Sequence, residues 1–301
     1  MNFFNFGNQI KKDTKYVVFG IPWDYLTSTV LPNSSIAPKH IRNITEDIGY
    51  TTEMGFHIPD FKAVDVGDVT IEPRDVEKNL ISIESFLKNL YEKNEKIIPI
   101  MIGGDHFCTY PIVKVVGDHT KKREDFGVLI FDSHLDFYQE WDKGVYSHAT
   151  ISHRIYDLDY VNNNNLLIVG TRDIDIEEYN LANSENIKYL NAYHIIDGLD
   201  YYINGIKDFF KKSNVNSLYV SIDIDVLDPS IAPGTGYAIP GGFSYRDMWK
   251  ILKEITEDFD VIGFDLVEVA PNLDLENKMT CILAAKLIVE FMYFIRSKSF
   301  H

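Results

Sequence analysis

Short uninterrupted apolar runs alternate along the chain with stretches in which apolar residues recur every three or four positions. The first run is Tyr16 to Phe19, ended by Gly20 and Pro22. Ile97–Ile102 follows, closed by Gly103 and Gly104, and then Val128–Phe131, Leu166–Val169, Leu218–Ile224 and Val261–Val267. Runs of this length, bounded by Gly, Pro or Asp, predict buried strands. Between Lys78 and Tyr91, residues Leu80, Ile83, Leu87, Leu90 and Tyr91 have helical spacing. Further helices are predicted near Glu177–Asn183 and from about Thr280 to Arg296. Strands separated by helices imply an α/β fold with a mainly parallel sheet covered on both faces. No repeat or low-complexity linker interrupts the pattern, so one domain over residues 1–301 is expected. Asn162–Asn165 reads as a loop tip. The Gly/Pro-rich stretch Pro229–Gly242 is long for a plain connection, and long ordered loops are often functional.

Charge narrows the function. Asp and Glu number 45 against 29 Lys and Arg, a net charge of −16. Such acidity disfavours binding to a nucleic-acid backbone, which relies on Lys and Arg, and suits a small cationic substrate. Neither a secretory leader nor a membrane span is expected, because the most apolar stretch, Cys281–Ile295, is short and contains Lys286 and Glu290. The two cysteines, Cys108 and Cys281, lie far apart and lack any zinc-type spacing. A reducing, cytoplasmic setting is expected.

The distinctive chemistry stands at strand carboxyl ends, where open parallel sheets bind their ligands. One strand runs into Gly103-Gly104-Asp105-His106, another into Asp132-Ser133-His134-Leu135-Asp136, and a third carries Ser221-Ile222-Asp223-Ile224-Asp225. If the extended backbone persists, alternation brings Asp132, His134 and Asp136 together, and Asp223 and Asp225 likewise. Uncompensated acids on a buried face would cost several kcal/mol each. Two histidines and four carboxylates could instead hold two divalent ions. Carboxylates with some imidazole and no thiolate suit Mn²⁺.

These three segments resemble the signatures of the ureohydrolase (arginase/agmatinase) family. The likeness extends through Asp228-Pro229, Ala232-Pro233-Gly234-Thr235-Gly236 and Gly241-Gly242, to Gly20-Ile21-Pro22-Trp23-Asp24 and to Ala37-Pro38 with Ile41-Arg42, so it covers nearly the whole chain. The resemblance implies a three-layer α-β-α fold, two Mn²⁺ per chain, urea release from a guanidino substrate and assembly into trimers or hexamers. It assigns His106, Asp132, His134, Asp136, Asp223 and Asp225 as metal ligands, with Asp105 orienting His106. Ser133 replaces the usual Ala at a position that alternates away from the ligands. By the same resemblance, Asp136 carries a proton to the leaving nitrogen. His148, in Tyr146-Ser147-His148-Ala149-Thr150, shuttles protons or orients substrate, and Glu268 grips the guanidinium as a bidentate partner. Ala149 stands where the family more often has Gly. The other histidines, His40, His57, His119, His153, His194 and His301, are expected to be structural or surface residues.

Within the family, Tyr138 occupies the position where arginases carry Asn, which resembles the agmatinase pattern; Arg172-Asp173-Ile174-Asp175 instead looks like an arginase segment that meets the substrate α-amine. Agmatine, cleaved to putrescine and urea, is the expected substrate. Arginine, guanidinobutyrate and aminopropylagmatine are the alternatives. Metal-dependent deacetylases have a related fold but use one zinc and fewer acids, and a non-catalytic metal-binding protein is a third class.

Overall fold

A computed structural model describes residues 1–24, 33–72, 74–298 of the chain. Among these, strands and helices alternate: β1 (Tyr16–Ile21), α1 (Ala37–Ile44), β2 (Ala63–Asp68), α2 (Val76–Lys93), β3 (Ile98–Gly103), α3 (Thr109–His119), β4 (Phe126–Phe131) and α4 (Ile151–Tyr156). The second half continues with β5 (Leu166–Thr171), α5 (Ile176–Ser184), β6 (Lys188–Asn191), α6 (Leu199–Lys212), β7 (Ser217–Asp223), α7 (Tyr245–Asp258), β8 (Asp260–Val267) and α8 (Met279–Ser297). The strands form one sheet in the order β2-β1-β3-β8-β7-β4-β5-β6, and every pairing is parallel.

Each predicted strand is present. The two strands at the sheet's edges, β2 and β6, carry no continuous apolar run and do not show in the pattern. Both faces are covered. Tyr16 and Val18 of β1 enter a core shared with α1, α6, α7 and α8, whereas Val17, Phe19 and Ile21 enter a second core with α2, α3 and α4. This is the three-layer arrangement; β1, β4 and β5 are buried at every position, and β3 and β7 at every position but the first.

The strand order matters most for the site. β3, β8, β7 and β4 are neighbours at the centre. Motifs separated by up to about half the chain therefore end side by side. The turn after β3 needs glycine for a steric reason: a Cβ on Gly104 would meet the carbonyl oxygen of Trp23 at 1.9 Å. That packing presses the segment leading to His106 against the end of β1, where Asp105 N–H donates to the same Trp23 carbonyl.

One buried ion pair anchors the edge of this end. Arg42 of α1 grips Asp65 of β2 with both Nε (2.7 Å) and Nη2 (3.0 Å), and Asp65 also accepts the N–H of Phe3. Arg42 and Asp65 are both almost fully buried. Removing one member strands the other's charge in a poorly solvating place. Arg42→Ala is expected to cost about 3–5 kcal/mol of unfolding free energy, read by urea denaturation; a loss under about 1 kcal/mol would show that Asp65 finds another partner.

Candidate metal centre

The carboxyl ends of the four central strands deliver acids and histidines to a common point. His106 begins the short 3-10 turn after β3. Asp132 follows β4, Asp223 ends β7 and Asp225 lies in the 3-10 turn after it, and Glu268 follows β8. His106, Asp132, Asp136, Asp223 and Asp225 are all buried, while His134 is partly exposed.

Two groupings form, and Asp132 belongs to both. His106 Nδ1 lies 2.9 Å from Asp132 Oδ2 and 3.3 Å from an oxygen each of Asp136 and Asp223. His134 Nδ1 lies 3.3 Å from Asp132 Oδ1 and 3.1 Å from Asp225 Oδ2. The ligand atoms of His106, Asp132 and Asp136 fall within 4.8 Å of one another, as do those of Asp132, His134 and Asp225. Asp132 thus turns one oxygen toward each group. This corrects the expectation from alternation. β4 stops at Phe131, Asp136 adopts a left-handed backbone (φ 48°), and His134 faces Asp225 rather than joining Asp136. Convergence comes from a looped segment, not from an extended one.

A cation fits this arrangement. His106 Nδ1 and Asp132 Oδ2 are buried and lack a hydrogen bond of acceptable geometry despite their closeness. Orphaned buried polar atoms are expensive unless something compensates them. The donor set is hard oxygen with imidazole, which suits Mn²⁺. Electrostatics say the same. Burial opposes charging His106, but the carboxylates of Asp132, Asp136 and Asp223 outweigh it and raise its pKa well above the usual value. His134 is raised likewise against its burial, by Asp225 and Asp132. Burial and the charge of Asp132 push Asp136 up to about 7. Burial, then Asp225 and Asp132, push Asp223 well above the carboxylate range. Carboxylates and imidazoles packed this closely favour taking up protons, and a cation competes for the same places.

A hydroxyl and a carboxylate from the neighbouring strands stand behind His106. His106 Nε2 meets Ser221 Oγ at 3.0 Å, and the Ser221 hydroxyl donates to Asp265 Oδ1 at 2.7 Å. Tyr219 OH donates to the other oxygen of Asp265 at 2.6 Å. With its hydroxyl proton on Asp265, Ser221 accepts from Nε2–H, which leaves the Nδ1 lone pair for a cation. Asp105 stands at the N-terminal position of the turn that His106 starts, with the Cys108 thiol against its carboxylate (3.7 Å). Asp265 was readable only as a lone acid in an otherwise apolar strand. Ser133 also departs from expectation: its Oγ lies 3.2 Å from His134 Nδ1, and its amide donates to Asp225.

Above the cluster opens a cavity of about 270 Å³, lined by His134, Asp136, His148 and, further out, by Tyr138, Trp141, Asp173, Asp175, Glu178 and Tyr237. His148 starts a short turn whose cap, Ser147, accepts the Ala149 N–H and places its Oγ 3.3 Å from His148 Nδ1. Glu268 is not among the residues lining this cavity. It has a left-handed backbone (φ 61°) and one oxygen accepts the His106 N–H at 2.7 Å. Burial and then Asp105 raise its pKa well above the usual value. A larger cleft, about 540 Å³, lies at the opposite, amino ends of β1, β3, β7 and β8 and holds none of these residues. His153, expected to be structural, places Nδ1 3.2 Å from the Tyr138 carbonyl oxygen, to which its N–H would donate, beneath the loop. His301 lies outside the described residues.

Residues 14–293 match the family model described as "Arginase family". An agmatinase of Pyrococcus horikoshii is 31% identical over 278 residues, covering 92% of this chain and 90% of the relative. A mitochondrial arginase of Medicago truncatula is 33% identical, covering 91% of this chain and 80% of the relative. The crystal structure of agmatine ureohydrolase of Thermoplasma volcanium superposes with a TM-score of 0.83 at 28% identity, covering 96% of this chain and 92% of that one.

Two outcomes follow for calorimetric titration with Mn²⁺. Affinity should fall as pH drops through about 7, where Asp136 takes up a proton that the ion must displace; the two histidines, raised well above their usual value, begin to compete at higher pH. Ser221→Ala should weaken binding by roughly 10–100-fold with the fold intact, as loss of a group that orients a ligand does. An unchanged affinity in Ser221→Ala would remove the Asp265–Ser221 pair from the metal centre.

Proposed function

Since the chain belongs to the arginase family, whose members are metal-dependent hydrolases of amidino C–N bonds, we propose that it is an agmatinase, hydrolysing agmatine to putrescine and urea with two Mn²⁺ per chain. One observation carries the choice of substrate: among the described residues, no Lys or Arg lines the cavity above the acid cluster, whereas Asp173, Asp175 and Glu178 do. A tail carboxylate, as in arginine or guanidinobutyrate, would lose its water without gaining a cationic partner and would sit among like charges. A tail amine meets the opposite field.

Arg172 and Tyr138, the residues at the positions that separate the two substrate classes, are already committed. Arg172 gives its Nε and Nη2 to the carbonyl of Ile239 and its Nη2 also to those of Asp225 and Leu227. The Tyr138 hydroxyl, which can donate only once, bonds to Asp175; burial and this bond raise its pKa. Neither is left to receive an α-carboxylate. The position that separates this chain from the arginase pattern therefore builds a negative wall.

His106, Asp136, Asp223 and Asp132 would hold one ion, and Asp132, His134 and Asp225 the other. When bound, the pair supplies a lowered pKa for attacking water and charge compensation at the amidino carbon. The chain's own residues do the rest. Glu268 stands outside the cavity lining with one oxygen fixed by the His106 amide; on this reading its remaining lone pairs would meet the guanidinium N–H groups where the substrate reaches past Asp136, a charge-assisted contact that orients the planar group. Asp136 Oδ takes a proton released by the attacking water and returns it to the nitrogen that leaves. His148, on the cavity wall, exchanges that proton with solvent. Tyr138 and Trp141 cover the approach and limit water around the reacting group. The enzyme acts in the cytoplasm as a trimer or hexamer on this reading.

The deciding assay is urea release from the manganese-loaded chain. The kcat/KM for agmatine is expected to exceed that for arginine by at least about 100-fold, equivalent to roughly 2.7 kcal/mol. Equal efficiency on both substrates would refute the agmatine assignment and leave the hydrolytic chemistry standing.

A further inference from the structure

The cavity mouth carries aromatic rings as well as acids, and two of its three acids, Asp175 and Glu178, already accept hydrogen bonds from the protein while Asp173 stands further out toward solvent. Asp175 accepts the Tyr138 hydroxyl and caps α5 through the amide of Glu177. Glu178 accepts the N–H of Phe137 at 2.9 Å. Each has given up acceptor capacity that a primary ammonium, with three N–H donors, would seek. The rings offer a different kind of attraction. Tyr138 and Trp141 meet with centroids 4.8 Å apart and planes tilted by 56°, which makes a corner of two π-faces. Tyr237 lines the same cavity, its ring 5.6 Å from that of His134. A π-face attracts a cation through its charge and needs no hydrogen on the nitrogen; aromatic corners of this kind are how quaternary ammonium groups are recognised. The acids around the rings add a long-range field of the right sign.

We propose, building on the ureohydrolase reading above, that the Tyr138–Trp141 corner holds the distal cation of the substrate by its charge rather than by its N–H groups. The site then accepts guanidino compounds whose far nitrogen is fully alkylated, and Trp141 is a specificity-determining residue.

The test uses the manganese-loaded full chain and three compounds: agmatine, its trimethylammonium analogue and butylguanidine, which lacks the second cation. The trimethylammonium compound is expected within about threefold of agmatine in kcat/KM, and butylguanidine at least about tenfold lower. In Trp141→Ala, the preference for cationic over neutral compounds should fall about tenfold, while Trp141→Phe, which keeps a π-face, should retain most of it. A trimethylammonium compound more than about 30-fold poorer than agmatine, or an unmoved preference in Trp141→Ala, overturns the proposal. Calorimetry with butyltrimethylammonium, which cannot be hydrolysed, separates this from the activity itself. Binding to the wild type that is lost in Trp141→Ala supports the corner even if no compound releases urea, in which case the ureohydrolase reading alone fails. No binding to the wild type overturns it.

Discussion

Buried negative charge at one end of the sheet is the constraint that organises this molecule. Asp132, Asp136, Asp223 and Asp225 are each at most 7% exposed, and two imidazoles face them. Arg172 lends a positive field, but its N–H groups are turned to carbonyls. Carboxylates so placed cannot all ionise without cations nearby, which is why Asp136 and Asp223 are driven upward while Asp132, between two histidines, is held down against its burial. The sheet order β3-β8-β7-β4 is what brings the four strand ends close enough for that conflict, and for its resolution by metal, to exist.

Much of this was legible in the chain before any coordinates. Buried parallel strands leave long apolar runs because both their faces are covered, and the acids stood out by ending those runs. The edge strand β2 was hidden because Asp65 and Asp68 interrupt it in order to meet Arg42. α3 was hidden by Pro111 and a set of β-branched valines, a composition whose helical state rests on packing between α2 and α4 rather than on propensity. Alternation misjudged the Asp132–Asp136 segment, because a period of two holds only while the backbone remains extended and Asp136 has left that region. The support behind His106 was missed for a plainer reason. Ser221 and Asp265 belong to different strands, 44 residues apart, and only the register of β7 on β8 sets them opposite each other.

The loops above the cluster obey a different rule from the floor. The floor is governed by charge, the mouth by shape and aromatic surface drawn from three separate segments around Tyr138, Asp175 and Tyr237. The long Gly/Pro-rich stretch takes part from below: Gly242 packs directly on Leu227, the Ile239 carbonyl receives Arg172, and the Gly234 carbonyl receives the Ala270 amide just beyond Glu268. It is ordered because its polar backbone groups are used, and it holds Tyr237 over the cavity.

Floor and mouth meet in three consecutive residues. The Asp136 carbonyl accepts the Ser152 amide, the Phe137 amide donates to Glu178, and the Tyr138 amide donates to the Ala149 carbonyl. A left-handed aspartate costs on the order of 1 kcal/mol and persists only where its surroundings over-determine it. Here each neighbour of Asp136 is tied to a different element: the start of α4, the side chain of α5 and the turn that bears His148. The same ties fix the ring of Tyr138 relative to the carboxylate of Asp136. The spacing between the reacting end of the substrate and its tail is therefore set by backbone hydrogen bonds, which leaves the side chains at the mouth to choose the tail's chemistry without having to hold the distance.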